Sequence, residues 1–318
     1  MRIVWLSLVV VFTLKSHGAL FPIIGFSNDT GTMLGLFWQN EISATSAIQS
    51  FGLTQKKGQS GFINAANLPF GNQTINIQLF GSNTGKSYYG IGNTSKKTDT
   101  ETLYFSELST TITVERPLVN QWNAVVGLTA SYYNEDVGKN SGTREFTNIT
   151  TLGLVLGAEL DTRDKTINTQ NGYYNAFTLN LYDGHSIFSN DVRYFKPMPH
   201  GVLATKVYST QTLTHHPHIL FLSGAGSYSY LRGYKTSDIL DKHLSYAQLE
   251  WRAPVSAWFI AVPFIECGAI GAHPGQLKKS LVSYGFAGHI PFGGASLRLE
   301  LAFAETNKEF YFGFNQVF

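Results

Sequence analysis

Ala295-Ser296-Leu297-Arg298-Leu299-Glu300-Leu301-Ala302-Phe303 alternates apolar and polar side chains without a break until Ala302. Ala295, Leu297, Leu299, Leu301 and Phe303 fall on one side of an extended chain, and Ser296, Arg298 and Glu300 on the other. A helix would return its apolar residues every 3.6 positions, whereas these return every second one, the period of a strand. The same alternation runs through Trp122, Ala124, Val126, Leu128, Ala130 and Tyr132, interleaved with Asn123, Gly127, Thr129 and Ser131. It recurs in Leu152, Leu154, Leu156, Ala158 and Leu160, interleaved with Thr151, Gly153, Gly157, Glu159 and Asp161. Segments of about 10 residues with one apolar and one polar face suit a closed barrel in lipid. There every backbone group must pair, and the two faces meet different solvents.

Composition agrees. The 318 residues are 43% apolar and 14% aromatic but only 14% charged, against about 25% charged in a soluble domain. Mean hydropathy is still only -0.05, because 31 glycines and many Ser, Thr, Asn and Gln offset the apolar excess. The aromatics exclude a disordered chain, and beyond the N-terminus no apolar run is long enough for a membrane helix, which needs about 18 residues. A net charge of +2 excludes an electrostatic nucleic-acid footprint. The single cysteine, Cys267, excludes an intrachain disulfide framework and a multi-Cys zinc site.

Residues 1–18 read as a cleaved secretory signal. Arg2 supplies the positive start, Ile3 to Leu14 an apolar stretch too short to span a bilayer, and Ser16-His17-Gly18 the small residues of a cleavage site. The rival is an uncleaved anchor. Residues 19–318 then form a single all-β domain, a transmembrane antiparallel up-and-down β-barrel. Counting back from Phe318 predicts about sixteen strands, near 309–318, 294–304, 281–290, 258–270, 242–253, 201–214, 190–197, 172–183, 151–162 and 122–133. Fainter ones fall near 101–114, 73–84, 60–68, 44–53, 31–39 and 20–27. Turn-like connections such as Pro69-Phe70-Gly71 and Arg116-Pro117 alternate with longer polar ones at 84–100, 134–150 and 215–241. That alternation is the one between short periplasmic turns and long outer loops. Phe310, Phe312, Phe314 and Phe318 share one face of the last strand, a pattern that the barrel assembly machinery of the outer membrane reads, although Gln316 interrupts it.

Leu231-Arg232-Gly233-Tyr234 stands in the longest outer loop, between the fifth and sixth strands from the C-terminus. It resembles the [VL]-R-G-[FY] motif of the outer membrane protein 85 superfamily, or bacterial surface antigen family, which includes BamA-like insertases and two-partner-secretion transporters. The resemblance implies that this loop folds into the lumen and that Arg232 pairs with an acidic residue of an F-x-D-x-G pattern on the wall. Phe264-Ile265-Glu266-Cys267-Gly268 resembles that pattern with Glu in place of Asp, so Glu266 is the implied partner, with Phe264 and Gly268 beside it. By alternation, Glu266 faces the lumen while Cys267 faces lipid. Asp161-Thr162-Arg163-Asp164, followed by Asn171-Gly172-Tyr173-Tyr174, resembles a superfamily hairpin, with Thr169-Gln170 where the family often has Pro. Gln248 to Arg252 resembles the strand after the arginine loop. The insertases and transporters carry POTRA domains before the barrel. Here the first strand begins beside the cleavage site, so the resemblance is to a short member lacking POTRA domains.

Other residues invite sharper chemistry. His215-His216-Pro217-His218 has imidazoles but no carboxylate, and reads better as a polar loop base than as a metal site. Asp241, His243 and Ser245 have the residue types of a hydrolase, but the spacing along one strand is expected to separate them. No enzyme, cofactor or metal is expected. Lys56-Lys57 and Lys96-Lys97 offer contacts to lipopolysaccharide phosphates. No ring of Arg opposite Asp or Glu, as a porin constriction would need, is evident along the sequence. The expected place is the bacterial outer membrane, and the expected role is assistance in protein or lipid translocation or insertion. The rivals are a passive diffusion channel and an adhesive surface protein. The arginine loop is either a plug that gates the lumen or a structural brace.

Overall fold

A computed structural model describes residues 12–13, 18–27, 31–42, 46–55, 58–88, 101–135, 148–165, 168–215, 217–225, 231–234, 239–292, 295–305 and 307–314. Its long elements are antiparallel strands. They are β1 (Gly18–Ser27), β2 (Gly31–Glu41), β3 (Ala47–Gln55), β4 (Gly58–Phe70), β5 (Gln73–Tyr88), β6 (Glu101–Pro117), β7 (Trp122–Glu135) and β8 (Ile149–Asp161). Then follow β9 (Gly172–Tyr182), β10 (His185–Met198), β11 (Gly201–Thr212), β12 (His243–Ser256), β13 (Phe259–Gly271), β14 (Leu277–Phe292), β15 (Ala295–Ala304) and β16 (Lys308–Phe314). Each strand expected from the alternation has its counterpart here. Residues 1–11 and 14–17 of the proposed signal, both Lys-Lys pairs and Phe318 lie outside the described residues.

Backbone contacts divide the chain into two compact units, one of Met1–Ser87, Glu101–Pro117 and Val125–Val155, the other of Tyr88–Thr100, Leu118–Ala124 and Leu156–Phe318. In the first, β1 to β5 pair in sequence order. Phe51 stacks on Phe62 at 5.6 Å between ring centres. Glu115 of β6 accepts from neutral donors, Asn76 Nδ2 at 2.5 Å and Thr74 Oγ1 at 3.3 Å.

In the second unit β9 to β16 also pair in order, β11 to β12 across the long loop. Strand β10 starts earlier than the sequence suggests, because Asp183-Gly184 makes a two-residue hairpin that registers Tyr182 opposite His185. Asp-Gly between strands is a strong hairpin signal, but the adjacent Ile187-Phe188 breaks the alternation and hides the strand start. So one outer connection is only two residues long, and the contrast of long and short connections holds less strictly than expected.

The two faces of this unit reverse the pattern of a water-soluble sheet. Glu300 and Glu266 are 1% exposed, whereas their strand neighbours Leu301 and Ile265 are 51% and 53% exposed. Gln248, Glu250, Arg252, Arg298 and His289 are buried on the same inner face, and Leu249, Val282, Tyr284 and Phe286 are exposed on the outer one. Exposed apolar surface costs about 25 cal/mol per Å² in water. A sheet that turns its leucines out and its charges in has lipid for its outer solvent.

Candidate functional site

Residues 213–242 connect β11 to β12, and the described stretches 217–225, 231–234 and 239–242 of this loop lie against the inner face. The base of this loop is fastened by backbone and side-chain bonds. Thr212 N–H donates to Lys242 O at 2.7 Å, and Thr212 Oγ1 to Phe221 O at 2.7 Å. Ser223–Gly224 pairs with Leu240–Asp241. His218 Nδ1 accepts from Leu220 N–H and caps the turn Ile219–Phe221, a structural task in a run of imidazoles. Among the described residues no group of three or more His, Cys, Asp or Glu is placed to hold a metal. Ala225, Leu231, Tyr234 and Ile239 of the loop then form an apolar cluster with Leu244, Tyr246, Ile270 and Leu281 of the wall.

Arg232 is fully buried and reaches the carboxylates of three strands. Its backbone N–H donates to Glu266 Oε2 at 2.7 Å and its Nε to Glu266 Oε1 at 2.5 Å. Nη1 donates to Glu300 Oε1 at 2.8 Å, and Nη2 stands 3.0 Å from Glu250 Oε1. The guanidinium carbon lies 3.5 Å from the centre of the Phe264 ring, a cation–π contact in a desolvated place. Burial works against this charge, but the three carboxylates outweigh it and raise the pKa above the ordinary arginine value. Arg252 pairs with Glu250 at 2.9 Å and Arg298 with Glu300 at 3.4 Å, so three guanidiniums face three carboxylates and the cluster is neutral. Gln248 Nε2 and Ser283 Oγ complete the shell of Glu266 at 2.9 and 3.1 Å.

The neighbours of the pair have visible reasons. A Cβ on Gly268 would stand 2.6 Å from Leu231 Cδ1, and one on Gly285 would stand 2.5 Å from Phe264 Cζ. One glycine admits the loop's leucine and the other the ring beneath the arginine. Gly233 has φ +88 and donates its N–H to Tyr311 OH at 2.8 Å. Val282 lies past Ser283, where the β14–β15 ladder ends. Its backbone N–H and O are met by Tyr234 OH at 3.1 and 3.0 Å.

The structure thus brings Leu231, Arg232, Gly233 and Tyr234 together with Phe264, Glu266 and Gly268, and sets Cys267 exposed on the opposite face. Glu250, Arg252, Arg298 and Glu300 were not foreseen as members. The alternation places each on the inner face, but only the register brings them round one guanidinium.

The hairpin residues build a second group. Asp161 holds Arg163 at 2.8 and 2.6 Å, and Asp164 Oδ1 accepts from Gln170 and Asn171 N–H at 3.0 and 3.2 Å. Gly172 has φ +123, and a Cβ there would meet Thr162 O at 2.5 Å. Tyr174 lies between Arg163 and Arg193, at 4.6 and 4.8 Å, and donates to Glu159 at 3.2 Å. Arg193 pairs with Asp191 at 2.6 Å, and Lys206 approaches the same carboxylate at 3.7 Å.

Register joins the groups. Tyr174, Arg193, Lys206, Gln248, Glu266 and Ser283 stand opposite one another in succession across β9 to β14. This polar row is not evident along the sequence, because its members come from strands distant in sequence. Phe310, Phe312 and Phe314 stand in register with Leu301, Leu299 and Leu297 on β16. A correction concerns His243 and Ser245, which are not held apart. His243 Nε2 lies 2.8 Å from Ser245 Oγ, which also donates to Ser209 Oγ at 3.0 Å. Residues two apart on a strand share a face, and an imidazole is long enough to close the gap. Asp241 Oδ1 accepts from Lys242 N–H at 2.8 Å.

No protein-family model and no curated protein matches the chain. Among solved structures, BamA from Haemophilus ducreyi lacking POTRA domains 1–3 superposes with a TM-score of 0.65 at 12% identity, over 98% of this chain and 75% of that one. The chain has the BamA-type β-barrel fold. CdiB from Acinetobacter baumannii gives a TM-score of 0.62 at 12% identity, over 97% of this chain. The chain spans 64% of CdiB, less than two thirds of its length. The sequence resemblance to the outer membrane protein 85 superfamily thus holds at the level of fold. In a BamA-type barrel the inner, charged face is the lumen wall and the leucine face meets lipid.

Proposed function

We propose that the chain is an outer-membrane barrel of the surface antigen type whose 213–242 loop plugs the lumen and leaves it to let protein or lipid cross or enter the membrane. The observation that carries this reading is Arg232, wholly buried and held by carboxylates of three strands. A residue with those partners fixes one docked position of the loop, and losing them releases it as a unit. In this reading the role is non-enzymatic. Residues 1–18 direct export, and the aromatic last strand hands the chain to the barrel assembly machinery. Outer-leaflet lipopolysaccharide then surrounds the outer rim.

Single-channel conductance of the refolded chain in a planar bilayer, beside a variant lacking residues 223–240, tests the reading. A small, flickering current that becomes large and steady in the variant is the expected result. A large, steady current from the intact chain would instead make it a passive diffusion channel, with the Arg193–Lys206–Glu266 row as its constriction.

A further inference from the structure

The contacts that hold Leu231-Arg232-Gly233-Tyr234 describe a receptor as much as a brace. The guanidinium meets three carboxylates and one aromatic face, its own main-chain N–H meets Glu266, and the next N–H meets Tyr311 OH. Leu231 fills space left by Gly268, and Tyr234 OH sits on the backbone of Val282. Each of these contacts is made to the wall, so the wall presents partners for an apolar–Arg–Gly–aromatic peptide whatever chain it belongs to. When the loop leaves, Glu250, Glu266 and Glu300 lose the one guanidinium that reaches all three, while Arg252 and Arg298 stay with Glu250 and Glu300 and Glu266 keeps only Gln248 and Ser283 as hydrogen-bond donors. The vacated wall therefore keeps three converging carboxylates and the Phe264 ring in the arrangement that suits a planar cation. Lysine does not suit that arrangement. Its compact ammonium lacks the planar fork that reaches three carboxylates at once and the flat face that lies on Phe264.

We propose that this cradle is a peptide-binding site, occupied in cis by the loop and entered in trans by an arginine-bearing segment of a second polypeptide passing through the lumen. The proposal rests on the reading that the loop leaves the wall, and it names the chemistry that takes the loop's place.

The test uses the full chain with Arg232→Ala, refolded in detergent micelles, and methylguanidinium chloride as the probe. A saturable rise in melting temperature is expected with methylguanidinium, and only the ionic-strength effect of sodium chloride is expected with methylammonium. Adding Glu266→Gln should abolish the rise. Equal responses to the two cations would overturn the proposal. A second arm needs no variant. Acetyl-Leu-Arg-Gly-Tyr-amide added to the wild-type chain in a bilayer should raise its conductance at a concentration about tenfold lower than the Lys-for-Arg peptide does. Matching curves for the two peptides would overturn the proposal even where Arg232→Ala does not fold. If deletion of 223–240 leaves conductance unchanged, the plug reading fails while the methylguanidinium result stands, so the two failures are distinguishable.

Discussion

Two groups of three acids and three bases lie in the C-terminal unit, built from the same local piece but closed differently. Each contains two acid–base pairs spaced i, i+2 along one strand or its end, Glu250/Arg252 and Arg298/Glu300 in one, Asp161/Arg163 and Asp191/Arg193 in the other. Around Tyr174 the group is completed by Glu159 and by Lys206 at 3.7 Å from Asp191, with Arg193 still 22% exposed. Around Phe264 it is completed by Glu266 and by Arg232, which arrives from a loop and is sealed from solvent. The i, i+2 pair neutralises a strand locally. The added loop arginine ties three strands to a fourth segment, and only the second arrangement can be undone by moving one piece.

The largest effect that would sharpen this contrast is expected from Arg232→Ala. It strands Glu266 and Glu300 in a buried place and should cost about 3–5 kcal/mol, measured by urea unfolding in micelles. Arg193→Ala should cost less than Arg232→Ala, since Lys206 stays 3.7 Å from Asp191 and the site is partly open to water, and equal losses would break the comparison. Next comes Gly285→Ala, whose Cβ would stand 2.0 Å from Leu301 O and press on Phe264. Overpacking of about 1–3 kcal/mol is expected there. Gly81→Ala, with nothing nearer than 3.9 Å, should leave the melting temperature unchanged. Tyr234→Phe removes the hydroxyl that serves Val282 and should cost about 1–3 kcal/mol, read as faster proteolysis of the loop with the strands intact. The smallest effect is expected for Glu266→Asp. The shorter carboxylate retreats from Arg232 while keeping its charge, so a loss of about 1 kcal/mol in loop docking is expected, and a gain would mean that the longer side chain is strained.

Much of this was legible in the residues. Leu297 to Phe303 announced a strand with a lipid face, and the repeated alternation announced how many strands follow. Leu231-Arg232-Gly233-Tyr234 and Phe264 to Gly268 named both halves of the central ion pair. The start of β10 was hidden by Ile187-Phe188, although Asp183-Gly184 marked it. The His243–Ser245 contact is not legible in the spacing, because strand spacing measures Cα positions and not the reach of an imidazole.

Which residues face which solvent follows from the order of residues alone, because side-chain alternation in a strand is local and needs no partner. That order could not determine which inner-face charges meet. Glu250, Glu266 and Glu300 converge on Arg232, and Tyr174 to Ser283 form one row, only through cross-strand register and the return of a loop. Sliding one strand by a single residue would turn every one of its side chains to the other face, so the wall of the site exists only in the folded sheet.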